Sequence, residues 1–140
     1  MSDSVAVSID IDAPPGKVWS ALTEPAQVKR YMMGATLKTD WQVGHLVTWS
    51  GEAKGRPYED KGRVLAVEAP RHLAMTHWSP LSGLADEPKN YHTVSYDLAP
   101  AGRGTRVTLT QENLTGVSAE QSKKNWQPVL DGLKKTAEAA

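Results

Sequence analysis

The chain has no cysteine. Disulfides, thiolate zinc sites and cysteine nucleophiles are therefore excluded. It has no phenylalanine either, yet carries five tryptophans and four tyrosines. Charge of one sign is also missing: sixteen basic side chains balance sixteen acidic ones, and the longest basic runs are pairs such as Lys123-Lys124 and Lys134-Lys135. A duplex binder shows a basic stripe, because phosphate neutralisation dominates its affinity. No nucleic-acid partner is expected. No apolar run reaches the ~20 residues that a membrane-spanning helix needs, so no membrane span is expected. Met1-Ser2-Asp3-Ser4 shows no positive region followed by an apolar stretch, and a cytoplasmic protein is expected.

What is present suits one small domain. A chain of 140 residues fits a single domain spanning 1–140 and can bury roughly two-thirds of its unfolded surface without metal or disulfide. Val5, Val7, Ile9 and Ile11 alternate with polar or small residues, the period-two mark of a strand with one buried face. Pro14-Pro15 ends that strand. Two short helices are expected next, over 16–22 and 26–31. Strands are expected over 45–51, 62–68, 71–78, 92–98 and 105–113, with a tight corner at Pro70-Arg71 and a turn at 100–104. Residues 51–61 read as a loop rich in Gly, Pro and charge and 79–91 as a long loop with Pro80, Gly83 and Pro88, and both are expected to flank a cavity entrance. Loops of that length in compact domains are often lids or binding loops.

The last segment reads as a long helix. Ser118 with Gln121 fits a capping box. Trp126, Val129, Leu130, Leu133 and Ala137 form an apolar stripe at helical spacing. Pro128 lies inside this helix, and a kink or break is expected between about residues 124 and 126. A lone long helix with an apolar stripe must pack on the apolar face of the sheet. The expected fold is α+β: an antiparallel sheet around one C-terminal helix, with room for a cavity between them.

Several stretches resemble a known superfamily. Ile11-Asp12-Ala13-Pro14-Pro15-Gly16-Lys17-Val18-Trp19, followed by Ala21-Leu22-Thr23, resembles the opening of START/Bet v-like (SRPBCC) proteins. The stretch from Gly62 to Leu73, with its Glu68-Ala69-Pro70-Arg71 corner, resembles their central hairpin, and Gly104-Thr105-Arg106-Val107-Thr108-Leu109-Thr110 their final strand. Trp126-Gln127-Pro128-Val129-Leu130 with Leu133-Lys134 resembles the closing helix of one branch, the homologues of the activator of the heat-shock protein 90 ATPase. The resemblance implies a helix-grip fold, a curved antiparallel sheet wrapped around a long C-terminal helix, with a hydrophobic cavity. Members bind lipids, hormones or polyketides, and some catalyse cyclisation or dehydration. Function does not follow from such a fold. The segment Arg30-Tyr31-Met32-Met33-Gly34 departs from relatives that carry a tryptophan there, and implies a softer, Met-rich wall.

Candidate site residues follow from chemistry and position. Met32, Met33, Trp49, Met75, Tyr96, Trp126 and Leu130 are expected to line the cavity. Adaptable methionine and amphipathic aromatics suit an apolar guest with a few polar groups; the alternative is an ordinary filled core. His77 and His92 are placed on neighbouring strands and could both reach the cavity mouth, to bind metal or move protons; the alternative is two satisfied, partly exposed histidines. Asp10, Asp12, Glu52, Glu59, Asp60, Glu68, Asp97 and Glu112 read as solvated surface. No catalytic set, metal site or cofactor is assigned. Three functions compete. One is a binding module for an apolar or aromatic small molecule. Another is a polyketide cyclase- or dehydratase-like enzyme with His77, His92 or Tyr96 as acid or base. The last is a chaperone-associated interaction protein. A homodimer is also expected, with Trp41 and Trp78 as interface residues.

Overall fold

The computed structural model of the chain describes residues 4–32, 34–114 and 118–139. In chain order it contains β1 (Ser4–Ile11), α1 (Pro15–Thr23), α2 (Pro25–Tyr31), β2 (Thr36–Lys38), β3 (Leu46–Ala53), β4 (Arg56–Glu68), β5 (His72–His77), β6 (His92–Ala101), β7 (Gly104–Glu112) and α3 (Ala119–Ala139). The strands form one seven-stranded sheet in the order β1-β7-β6-β5-β4-β3-β2. Every neighbouring pair is antiparallel. The curved sheet wraps around α3, which is the helix-grip fold expected above.

Sequence pattern explains most of this. Val5 and Ile11 of β1 turn to the core while Ser4, Ala6, Ser8 and Asp10 stay exposed. Thr105, Val107, Leu109 and Gln111 form the buried row of β7. Pro15 and Pro25 each occupy a first-turn position of their helix, where the missing N–H costs nothing. Leu130, Leu133 and Ala137 of α3 are fully buried among the sheet's inner residues, with Trp126 half-buried at one end of the stripe. Ser118 caps α3 by accepting the Gln121 N–H at 3.1 Å. Among the described residues the reciprocal bond of a capping box is not seen; the Gln121 amide nitrogen donates to Asn125.

Two local expectations are corrected. Residues 51–61 are not a loop. They are the outer halves of β3 and β4, joined at Lys54-Gly55, where both residues have positive φ (53° and 79°). A two-residue hairpin turn of this kind favours Asn or Asp ahead of the glycine, so Lys54 hid the signal. α3 is not broken near residues 124–126 but runs unbroken through Pro128. The proline lies on the exposed face, where the carbonyl it leaves unbonded, that of exposed Lys124, can meet water. β2, at three residues, is too short to show a period in the sequence.

Two glycines set how closely elements approach around the site. A Cβ on Gly62 would stand 1.7 Å from the Thr76 carbonyl oxygen, so β4 and β5 can meet there only with glycine. A Cβ on Gly132 would stand 2.6 Å from the Tyr31 Cβ, so α3 and the end of α2 cross closely at that point.

Candidate functional site

A cleft of about 410 Å³ opens between the outer part of the sheet and α3. Tyr31 and Met32 come from the end of α2, Trp49 from β3, Tyr58 and Asp60 from the β4 arm, and Trp126 and Val129 from α3. His77 of β5 is also in its wall. Beside it lies a smaller chamber of about 50 Å³. Tyr31, Met32, Trp49, His77 and Trp126 border both spaces. The chamber is completed by apolar residues including Leu73, Met75 and Val94, and by Tyr96. Its volume suits a few buried atoms, while the cleft suits a molecule with one or two rings.

The structure thus brings together Met32, Trp49, Met75, His77, Tyr96 and Trp126. Leu130 is separate: it is fully buried in the core and lies on neither wall. His92 also lies off both walls and stacks behind His77, with ring centroids 6.5 Å apart. Met33 lies outside the described residues. The hairpin arm over 51–61 does flank the cleft through Tyr58 and Asp60. The loop over 79–91 does not. It folds over the opposite, convex face, where Asp86, Pro88 and Tyr91 border a separate groove with Leu46, Lys61 and Arg63. Trp41 and Trp78 are half-buried rather than open surface. The Trp41 indole donates to the Thr23 carbonyl at 3.0 Å, and that of Trp78 to the Leu84 carbonyl at 3.2 Å.

The expectation that Asp60 is solvated surface is corrected. Strand alternation was masked because the arm looked like a loop; once β4 extends to Arg56, Asp60 points inward. One carboxylate oxygen accepts from His77 Nε2 at 3.0 Å. The other, Oδ1, is shut off from solvent and has no hydrogen-bond partner among the described residues. A carboxylate only accepts, so His77 donates through Nε2, and in the neutral ring Nδ1 is the acceptor. Nδ1 has no hydrogen-bond partner among the described residues. The Trp49 ring meets the His77 ring edge-on at 5.4 Å. Behind it, His92 Nδ1 donates to the Asn113 carbonyl at 2.9 Å. Burial and the adjacent His77 lower the His92 pKa, and the Asn113 carbonyl only partly opposes them.

A second polar network was also invisible in the sequence. Gln111 is the last buried residue of the β7 row, where an apolar side chain would fit the pattern. Its Oε1 accepts both the Ser122 hydroxyl at 2.6 Å and the Trp126 indole N–H at 2.7 Å. This pair of bonds fixes the orientation of Trp126 at the cleft. On the far wall Tyr31 is fixed by donating to the Ala21 carbonyl at 2.7 Å. Burial pushes the Tyr96 phenol far above its ordinary pKa, and burial together with the neighbouring Tyr96 does the same for Tyr31. Both are neutral hydroxyls near neutral pH, so Tyr96 does not serve as a base there.

The remaining histidines lie elsewhere. His45 pairs with Asp40 and His72 with Asp97, each at 2.7 Å on the surface. Among the described residues no group of three or more His, Asp or Glu could hold a metal ion. No described helix is long and apolar enough to cross a membrane.

The family model described as activator of Hsp90 ATPase homolog 1-like protein matches residues 12–138. The chain belongs to this family. The family lies within the SRPBCC superfamily. Among solved structures, ChR145 from Cytophaga hutchinsonii is 42% identical, with a TM-score of 0.82 over 98% of this chain and 94% of that one. CalU16 from Micromonospora echinospora is 25% identical, with a TM-score of 0.74 over 97% of this chain and 76% of that one. CV1439 from Chromobacterium violaceum, 21% identical with a TM-score of 0.81 over 96% of each chain, shares the fold. No curated protein matches the chain.

Proposed function

We propose that this member of the activator of Hsp90 ATPase homolog 1-like family binds an apolar or aromatic small molecule in the cleft between the sheet and α3. One observation carries the reading: aromatic and methionine side chains wall a space of about 410 Å³ with a single charged residue, Asp60, among the described lining. Such a site takes a flat apolar guest and orients it by a few polar contacts. Titration with a panel of lipids and aromatics tests it. A true guest quenches tryptophan fluorescence, because Trp49 and Trp126 touch it, and raises the melting temperature by mass action. No change with any member of the panel would defeat the reading.

A second reading is an enzyme acting on such a guest. The Asp60–His77 pair favours it, since a carboxylate that holds one imidazole nitrogen leaves the other free to take a proton. Turnover that vanishes in His77→Gln, with guest binding retained, would establish it. The family description alone supports a chaperone partner.

A further inference from the structure

We infer that the cleft selects aromatic molecules bearing a neutral hydroxyl, a phenol or an enol, over both unsubstituted and carboxylated analogues. The inference rests on the binding reading above and names its ligand class.

The polar groups of the cleft are unevenly matched. Asp60 Oδ1 is enclosed and lacks a donor among the described residues. Leaving a buried carboxylate oxygen unbonded is costly, because its lost hydration is not replaced. The torsion that turns a carboxylate about its last bond is soft, so either oxygen can swing to face a donor in the cleft. In its neutral form His77 adds a second acceptor through Nδ1, since Nε2 is committed to Asp60 at 3.0 Å. On the opposite wall, Asn125 of α3 has its amide oxygen occupied by the Gln121 side chain at 2.9 Å. Its amide nitrogen remains a donor. Among the described lining no lysine or arginine faces the guest.

A hydroxyl fits this arrangement. Its proton satisfies Asp60 or His77, and its oxygen can accept from Asn125. The ring lies between Trp49, Tyr31 and Trp126. An unsubstituted ring leaves Asp60 unsatisfied. An aromatic carboxylate brings a second negative charge beside Asp60 with no cation to offset it.

Three probes of one shape separate the cases: naphthalene, β-naphthol and β-naphthoate, each followed by NMR of the whole protein. β-Naphthol should bind about tenfold or more tightly than naphthalene, as a hydrogen bond to a charged group allows. β-Naphthoate should bind most weakly. In Asp60→Asn the naphthol advantage over naphthalene should shrink several-fold, and naphthoate should gain. The His77 ring nitrogens give an independent readout: β-naphthol should move the Nδ1 signal. If all three probes bind alike, or naphthoate binds best, the selectivity is refuted while the cleft remains a binding site. If none binds, both the selectivity and the binding reading fall.

Discussion

Replacing Gln111 by methionine should loosen the joint between β7 and α3. The side chain is close in length but has no acceptor. Two donors lose their partner: the Ser122 hydroxyl, now 2.6 Å from Oε1, and the Trp126 indole N–H at 2.7 Å. A buried donor left unbonded costs about 1–3 kcal/mol. Ser122 can rotate its hydroxyl toward its own helix backbone, and Trp126 is half-buried, so neither reaches the full penalty. The sum should be about 1–3 kcal/mol of lost stability, well above the ±0.5 kcal/mol of an ordinary surface change. A double-mutant cycle with Trp126→Phe isolates the bond, because phenylalanine has no N–H to leave stranded. Gln111→Met should cost at least ~0.5 kcal/mol less in the Trp126→Phe background than alone. Denaturant melts of the four proteins decide it. Costs that add within ~0.3 kcal/mol would refute the reasoning, and would mean that Trp126 is held by packing alone.

Other perturbations probe the same frame. Leu133→Ala should destabilise by ~2–5 kcal/mol, since a fully buried leucine is truncated; Lys134→Ala should change stability by less than ~1 kcal/mol, because its links to Glu138 and the Asp10 carbonyl are exposed. Equal effects in denaturant melts would mean the helix face is misassigned. Gly132→Ala should destabilise despite a helix-propensity gain of about 1 kcal/mol, because the new Cβ would stand 2.6 Å from the Tyr31 Cβ and overpacking costs ~1–3 kcal/mol; a higher melting temperature would contradict it. The lowered His92 pKa means the unfolded chain binds more protons than the folded one just below the ordinary histidine value. This contribution is therefore complete above about pH 6.5 and declines as the pH falls. His92→Gln should flatten the loss of stability between about pH 7 and pH 5, and an unchanged slope would rule His92 out as its source.

Much of the fold was legible because one face of each long element is apolar at a regular period. The stripe of Leu130, Leu133 and Ala137 marks α3, and the alternation of Val5 and Ile11 marks β1. The arm of β3 and β4 was hidden for a physical reason. It extends beyond the core, so its side chains need not alternate cleanly, and Lys54 takes the left-handed turn position without the usual residue. That one misreading also hid Asp60. Aromatic and methionine residues of the cleft stood out by type, whereas Leu130 was chosen by the same logic and packs in the core instead. Gln111 and Asp60 escaped because a lone polar residue on a strand declares nothing until its partners on another element are known. His77 and His92 were placed as cross-strand neighbours, and the register pairs them directly; the sequence held no sign that only His77 reaches the cleft.

The central claim is that guests enter the cleft between the sheet and α3. The most direct measurement is NMR of the protein titrated with β-naphthol. The Met32 methyl and the Trp49 and Trp126 indole N–H signals should move together and saturate, while Tyr91 and Thr76 on the convex face stay still. Shifts confined to the convex groove, or no saturable shift at all, would contradict the account.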